Sequence, residues 1–297
     1  MKRTLFIFSM IFAVVFNATA QEADDETLSS RELRTIETEL VALFTQVNAA
    51  ETNQEKFVIA DSIQAKMVDM VYYAYGAEYS FNRIKRVADR KQSQKEEQSI
   101  PFGMVQSNDE KVTVFYWNIL LTDGSSQYYN IFQHKDGNTY ILAQGIPFKP
   151  KTTGTVSEKD WYGAVYYELL HMKDSRGKDA YLALGYACDA ERQYKFIDIL
   201  SFSGKSVKLG AAAFTGLENR RQMREVFEYP VGMVMSLKSE GKKKILFNHL
   251  SDSGREYDDG TPMLGPDMSF DSLVLKKDKW VLKEDIKVKS KKKKRRR

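Results

Sequence analysis

Near residue 100 the spacing of apolar residues changes from a period of 3.6 to a period of 2, which divides the chain into a helical part and a β part. Before the change, Leu33, Ile36, Leu40, Leu43, Phe44 and Val47 mark one helix face, and Phe57, Ala60, Ile63, Met67, Met70, Val71 and Ala74 mark another. Each stripe opens on a capping box, Ser29 with Glu32 and Thr52 with Glu55, in which hydroxyl and carboxylate each satisfy the other residue's amide. Leu28 and Leu33 stand at the staple positions of the first box, and Gly76 suits the left-handed residue beyond a helix end. Two capped amphipathic helices joined by a short turn pack antiparallel, so residues 28–76 read as a helical hairpin within a unit spanning 21–87.

Residues 88–100 are almost wholly polar and read as a linker. Beyond them the stretch 112–119 carries apolar residues on both strand faces, and Asp123-Gly124 and Asp136-Gly137 supply turns on either side of 127–133. After a Gly/Thr/Pro-rich spacer at 145–155, the stretches 161–171, 180–188, 194–202, 224–229, 233–238, 243–249, 270–275 and 280–283 read as further strands. The fold class expected is α+β: an N-terminal antiparallel helical hairpin, then a large antiparallel all-β body over 101–286, as a meander, barrel or propeller-like array. Trp117, Trp161 and Trp280 are unequally spaced and mark no blade repeat.

The first twenty residues have the form of an export signal. Lys2 and Arg3 precede a near-pure apolar run at 5–16, and Ala18-Thr19-Ala20 is a small-x-small cleavage site. Twelve residues are too few to span roughly 30 Å of hydrocarbon. The expected mature chain is periplasmic or secreted, starts at Gln21 and has no transmembrane segment. Cys188 is the single cysteine, so no intrachain disulfide forms, and its place at the end of an apolar run suits a buried small hydrophobe.

The formal charge of +5 is unevenly distributed: removing Lys2, Arg3 and the nine cations of residues 287–297 leaves −6 on residues 21–286. The folded body is therefore mildly acidic, and the basic balance sits in Lys287, Lys289, Lys291, Lys292, Lys293, Lys294, Arg295, Arg296 and Arg297. A run of like charges with no acid and no aromatic stays extended and is attracted to anionic surfaces in a salt-dependent way. An anionic partner is expected at this tail rather than on the fold.

Motifs for nucleotide binding, zinc proteolysis and the serine nucleophile elbow are absent, and no cofactor site is indicated. His134, His171 and His249 lie far apart, each near a strand end. The segment 251–271 holds Asp252, Glu256, Asp258, Asp259, Asp267 and Asp271 and reads as a long irregular loop. Within it Asp258, Asp259 and Asp267 are candidate calcium ligands, although Pro262 and Pro266 also suit an ordinary rigid turn. Trp161, Tyr162 and Tyr166 are candidate stacking residues for an envelope glycan or protein, since neighbouring strand residues face opposite ways. Carboxylate pairs for hydrolysis of glycan or peptide would come from Asp198, Glu228, Asp258 or Asp271. These features point first to a non-enzymatic binding or interaction module, then to a hydrolase or to a structural component docked through its basic tail.

Three segments carry a resemblance: Val-Thr-Val-Phe-Tyr-Trp-Asn at 112–118 followed by Asp123-Gly124, Trp-Tyr-Gly-Ala-Val-Tyr-Tyr at 161–167, and Phe-Asp-Ser-Leu-Val-Leu at 270–275 ahead of Trp280. In these the chain resembles an uncharacterised group of secreted β-rich proteins of Bacteroidota-type bacteria. Leu184-Gly185-Tyr186-Ala187 departs from the Leu-Gly-Trp-Asp turn of that group. The group has no established activity, so the resemblance implies fold and export only.

Overall fold

A computed structural model describes residues 30–73, 81, 83–84, 102–144, 151–215 and 222–286. Ser29 of the first capping box, Gly76, the signal segment, the linker and the basic tail lie outside the described residues. Helices α1 (Ser30–Ala49) and α2 (Asn53–Tyr73) form the hairpin. Its second capping box is closed in both directions: Glu55 N donates to Thr52 Oγ1 at 3.2 Å and Thr52 N to Glu55 Oε2 at 3.2 Å. Such a cap contributes about 1 kcal/mol. Ala74 lies outside the described residues; the other residues of the expected stripes are buried, or half-buried at Ile36 and Leu43, except Phe57, which is 40% exposed. Its neighbour Lys56 turns inward instead, and its Nζ donates to Val47 O at 3.0 Å, satisfying a carbonyl in the last turn of α1.

Three open sheets follow and stack, antiparallel except for the short parallel pairing of Phe214 with Trp280 and Thr215 with Val281; among the described residues there is no closed barrel. The first sheet is β1 (Gly103–Gln106), β2 (Val112–Leu120), β3 (Ser126–His134) and β4 (Thr139–Ala143), in sequence order. The second contains β5 (Val156–Ser157), β6 (Val165–Lys173), β7 (Asp179–Cys188), β8 (Arg192–Ser203) and β9 (Ser206–Leu209) in the order β5-β9-β8-β7-β6. The third contains β10 (Phe214–Thr215), β12 (Leu237–Ser239), β13 (Lys244–Glu256), β14 (Pro262–Lys276) and β15 (Lys279–Lys283) in the order β10-β15-β14-β13-β12. Strand β11 (Glu225–Pro230) pairs with residues 192–197 of β8, beside the stretch 200–203 that β9 occupies.

Alternation along the strands shows why the sheets stack. Phe115, Trp117, Ile119, Tyr129 and Ile131 of the first sheet join the helical hairpin in one apolar cluster. The alternate residues Val112, Val114, Tyr128, Phe132 and Leu142 meet Leu169, Ala183, Phe196 and Leu200 of the second sheet. The other face of the second sheet, with Leu170, Leu182, Leu184, Ile197 and Ile199, meets Leu237, Ile245, Phe247, Leu273 and Trp280 of the third. The order of layers is therefore helices, first sheet, second sheet, third sheet. A sheet covered on both faces needs apolar residues at every position rather than at alternate ones, and nine consecutive residues of β7, from Ala180 to Cys188, are buried.

Polar side chains fasten the layers where apolar packing alone fixes no register. Asn130 Nδ2 donates to Ala164 O at 2.8 Å between the first two sheets, and Gln133 Nε2 to Val71 O at 2.5 Å between β3 and α2. At the centre of the second sheet the Asp198–Arg224 ion pair is fully sealed from solvent, with Nε to Oδ2 at 3.2 Å. Tyr162 Oη also donates to Asp198 Oδ2 at 2.6 Å, and Arg224 Nη2 to Leu209 O at 3.1 Å. Gly210, at φ +93°, makes room for that guanidinium: a Cβ there would lie 2.6 Å from Nη2.

The segment 251–271 departs from expectation. It is no loop, because β13 and β14 run through it as a long hairpin, paired from Lys244↔Val274 to Glu256↔Pro262. Most of the outer arm is solvent-exposed. Main-chain hydrogen bonds hold it, and they leave no trace in hydropathy.

Candidate functional site

A β-bulge in β6 shapes an apolar cavity. Tyr166 pairs with Gly185 and Glu168 with Leu184, so Tyr167 is the extra residue. Gly185 accommodates Tyr166, since a Cβ there would lie 3.1 Å from both the Tyr166 and Phe196 rings. The bulge sends Tyr166 into the core between the first and second sheets, and aims Tyr167 toward the third. Tyr167 Oη donates to Leu237 O at 3.0 Å, which fixes the ring against β12.

Beside this ring lies a cavity of about 350 Å³, walled by Tyr167, Tyr186, Tyr229 and Lys195 and roofed by Met233 and Met235. The size is at the low end for small-molecule sites. Gln193 ties roof to floor: its Nε2 donates to Met233 O at 3.2 Å, and its Oε1 accepts from Tyr186 Oη at 3.1 Å. The Tyr167 and Tyr186 hydroxyls are thus engaged, and both residues present rings to the cavity. Burial pushes the phenols of Tyr167 and Tyr186 well above the ordinary tyrosine range, so both stay neutral. Val234, at the rim, is 77% exposed and leaves the mouth open.

Lys195 is the one charged residue of the lining. It lies opposite Tyr186 of β7 and Phe227 of β11, and its Nζ is 5.8 Å from the centre of the Tyr167 ring. Burial lowers its pKa, and among the described residues no carboxylate lies within ion-pair distance of it. The nearest acid along β6, Glu168, accepts from Ser239 N at 3.3 Å and from the Ser239 hydroxyl. Lys195 has a signal in the sequence, although it was not among the residues expected at a site. It occupies the same strand parity as Ile197 and Ile199, so a charge stands at an inward position.

The residues expected to form sites are placed differently. Trp161, Tyr162 and Tyr166 are buried to within 1% and form core, because the first sheet covers them; they offer no stacking face. Asp258, Asp259 and Asp267 do not converge on a cation. Asp258 and Asp259 sit in the turn at the hairpin tip, and Asp267 accepts from Ser269 N at 3.0 Å in a separate bend of β14. Asp259 accepts from Thr261 N at 3.0 Å and pairs with Arg192, and these bonds bring its carboxyl down to about 2. Among the described residues no cluster of three or more His, Cys, Asp or Glu side chains is arranged to hold a metal ion. Cys188 is buried, and burial raises its thiol pKa; its amide donates to Tyr128 Oη at 2.8 Å.

Of the four carboxylates considered for hydrolysis, Asp198 is sealed in its ion pair and Asp258 is at the hairpin tip, whereas Glu228 and Asp271 line one cleft of about 460 Å³ with His249. Arg192 Nη1 donates to Glu228 Oε1 at 2.9 Å, and burial raises the Glu228 carboxyl. His249 Nδ1 donates to Asp271 Oδ2 at 2.8 Å, while Asp285 N donates to Oδ1 at 2.9 Å. The hydrogen bond to Asp271 raises the His249 pKa. The pair therefore stabilises the fold below the ordinary histidine value of about 6.5, and that contribution is lost as pH rises through the elevated value. A ring-proton titration should place His249 above 6.5 in the native chain and lower in Asp271→Asn; an unchanged midpoint would show that the contact is absent in solution.

The other two histidines are held apart from this pair. His134 accepts from Asp136 N at 3.3 Å, and His171 pairs with Asp179 at the far end of β6 and β7. No helix of the described residues is long and apolar enough to cross a membrane. No family model, curated protein or solved structure matches the chain.

Proposed function

We propose that the chain is an exported, non-enzymatic binding module that takes a small, largely apolar ligand between its second sheet and the segment 233–235 that leads into the third. The observation that carries this reading is the cavity beside Tyr167, whose lining is aromatic, thioether and aliphatic apart from Gln193 and Lys195. Apolar concavities with a few placed polar groups are the usual form of small-molecule sites. Export is supported by the basic start, the apolar run at 5–16 and Ala18-Thr19-Ala20.

A neutral fluorescent naphthylamine should bind the full chain and light up. Met233→Asp, which puts a charge at the roof, should weaken binding about tenfold or more. Equal enhancement in both proteins would reject the cavity as the site.

Hydrolysis is a second reading, favoured by Glu228, Asp271 and His249 lining one cleft. Release of reducing ends or amines from envelope glycan or peptide, lost in Asp271→Asn, is its test. No release from either substrate rejects it. Docking of an anionic surface would belong to residues 287–297, outside the described part of the chain.

A further inference from the structure

Within the proposed binding function, on which this inference rests, we infer that the ligand is a carboxylic acid with an apolar body, its carboxylate paired with Lys195 and its body against Tyr167, Tyr186 and Met235. Three observations lead there. The lysine is set on a strand rather than a loop, so its Cα is held by pairing on both sides, to Tyr186 and to Phe227. Lys195 shares the lining with rings and thioethers, its ammonium is 5.8 Å from the centre of the Tyr167 ring, and among the described residues no carboxylate lies within ion-pair distance of it. The elements packed around it contribute Tyr167, Tyr186, Tyr229 and the apolar segment 233–235, and the adjacent acids Glu168 and Glu228 are engaged by Ser239 and Arg192.

A cation held in apolar surroundings gains from a counter-ion more than an exposed lysine does, because water competes less for both partners. A ligand carboxylate supplies that counter-ion, while the cavity accepts the hydrocarbon. Neutral hydrocarbons gain only the second contribution. Cations gain the second contribution as well, but their head group is repelled by the like charge of Lys195. The ordering of affinities is therefore acid, then alcohol, then amine for the same chain length.

Calorimetric titration of the full chain with octanoate, octan-1-ol and octylammonium tests this. Octanoate is expected to bind about tenfold or more tighter than octanol, as a charge-assisted hydrogen bond implies. In Lys195→Met, which keeps length and apolar packing, octanol binding should persist and the preference for octanoate should disappear. The basic tail is intact in both proteins, so a preference that survives the substitution places the acid on the tail and overturns the inference. Equal binding of octanoate and octanol to the native chain overturns it too, while leaving the cavity as an apolar site. Failure of all three ligands to bind overturns the cavity reading itself. A thermal melt of Lys195→Met confirms folding, and Lys195→Arg, which retains the charge, should keep the preference for the acid.

Discussion

Arg224→Met should lower the stability of the chain by about 3–5 kcal/mol, the range found when one partner of a buried ion pair is removed. The guanidinium is fully enclosed and has three acceptors: Asp198, Leu209 O and Lys151 O. Without it, Asp198 retains only the Tyr162 hydroxyl at 2.6 Å and the Ile199 amide at 2.9 Å, and two carbonyls lose a donor. Methionine restores apolar volume but none of these bonds. A midpoint fall of about 10 °C follows at roughly 2–4 °C per kcal/mol for a chain of this size class. Replacing both partners, as Asp198→Leu with Arg224→Met, should recover much of the loss, because no uncompensated charge then stays buried. Denaturant melts of the two single variants and the double variant measure the coupling directly. A loss below about 1 kcal/mol in Arg224→Met would mean that water reaches the pair.

Trp280→Ala should cost about 3–5 kcal/mol, as for a large aromatic removed from a core. Trp280 is fully buried between the second and third sheets, with its indole N–H toward Met172 Sδ at 3.4 Å and its amide donating to Ala213 O at 2.7 Å. The consequence reaches the cavity, since the third sheet carries Leu237, which accepts from Tyr167, and Met235 lies on the approach to it. Loosening this sheet should therefore weaken ligand binding as well as stability. Hydrogen exchange should locate the effect in β12 to β15, with β2 and β3 protected as before. Trp280→Phe, which retains most of the apolar surface, should be markedly milder. Uniform loss of protection across all three sheets would instead show that the layers unfold as one unit.

Much of the fold was legible because burial imposes a pattern. The stripes of α1 and α2 and the closed box at Thr52 and Glu55 follow from one covered face per helix. Apolar residues on both faces of β2, and throughout β7, are what a sheet covered on both sides requires. The outer arm of β13 and β14 reads as a loop for the converse reason: pairing without burial imposes no regular apolar alternation. The candidate site was less legible. Tyr167 and Tyr166 look equivalent in sequence, yet the bulge opposite Gly185 puts one into the core and the other against the third sheet.

By itself the sequence determined the division into a helical and a β part, the position of the helical hairpin, the acidic balance of the body and the segregation of nine cations in the tail. Those are local properties, set by periodicity, capping and composition within a few residues. Only the tertiary structure decided which sheet covers which, that Trp161, Tyr162 and Tyr166 are core, and that Lys195 lies in an aromatic cavity without a carboxylate partner among the described residues. Those depend on long-range pairing and on one extra residue in β6. An apolar side chain reads the same in sequence whether it fills a core or lines a cavity, because either environment removes it from water.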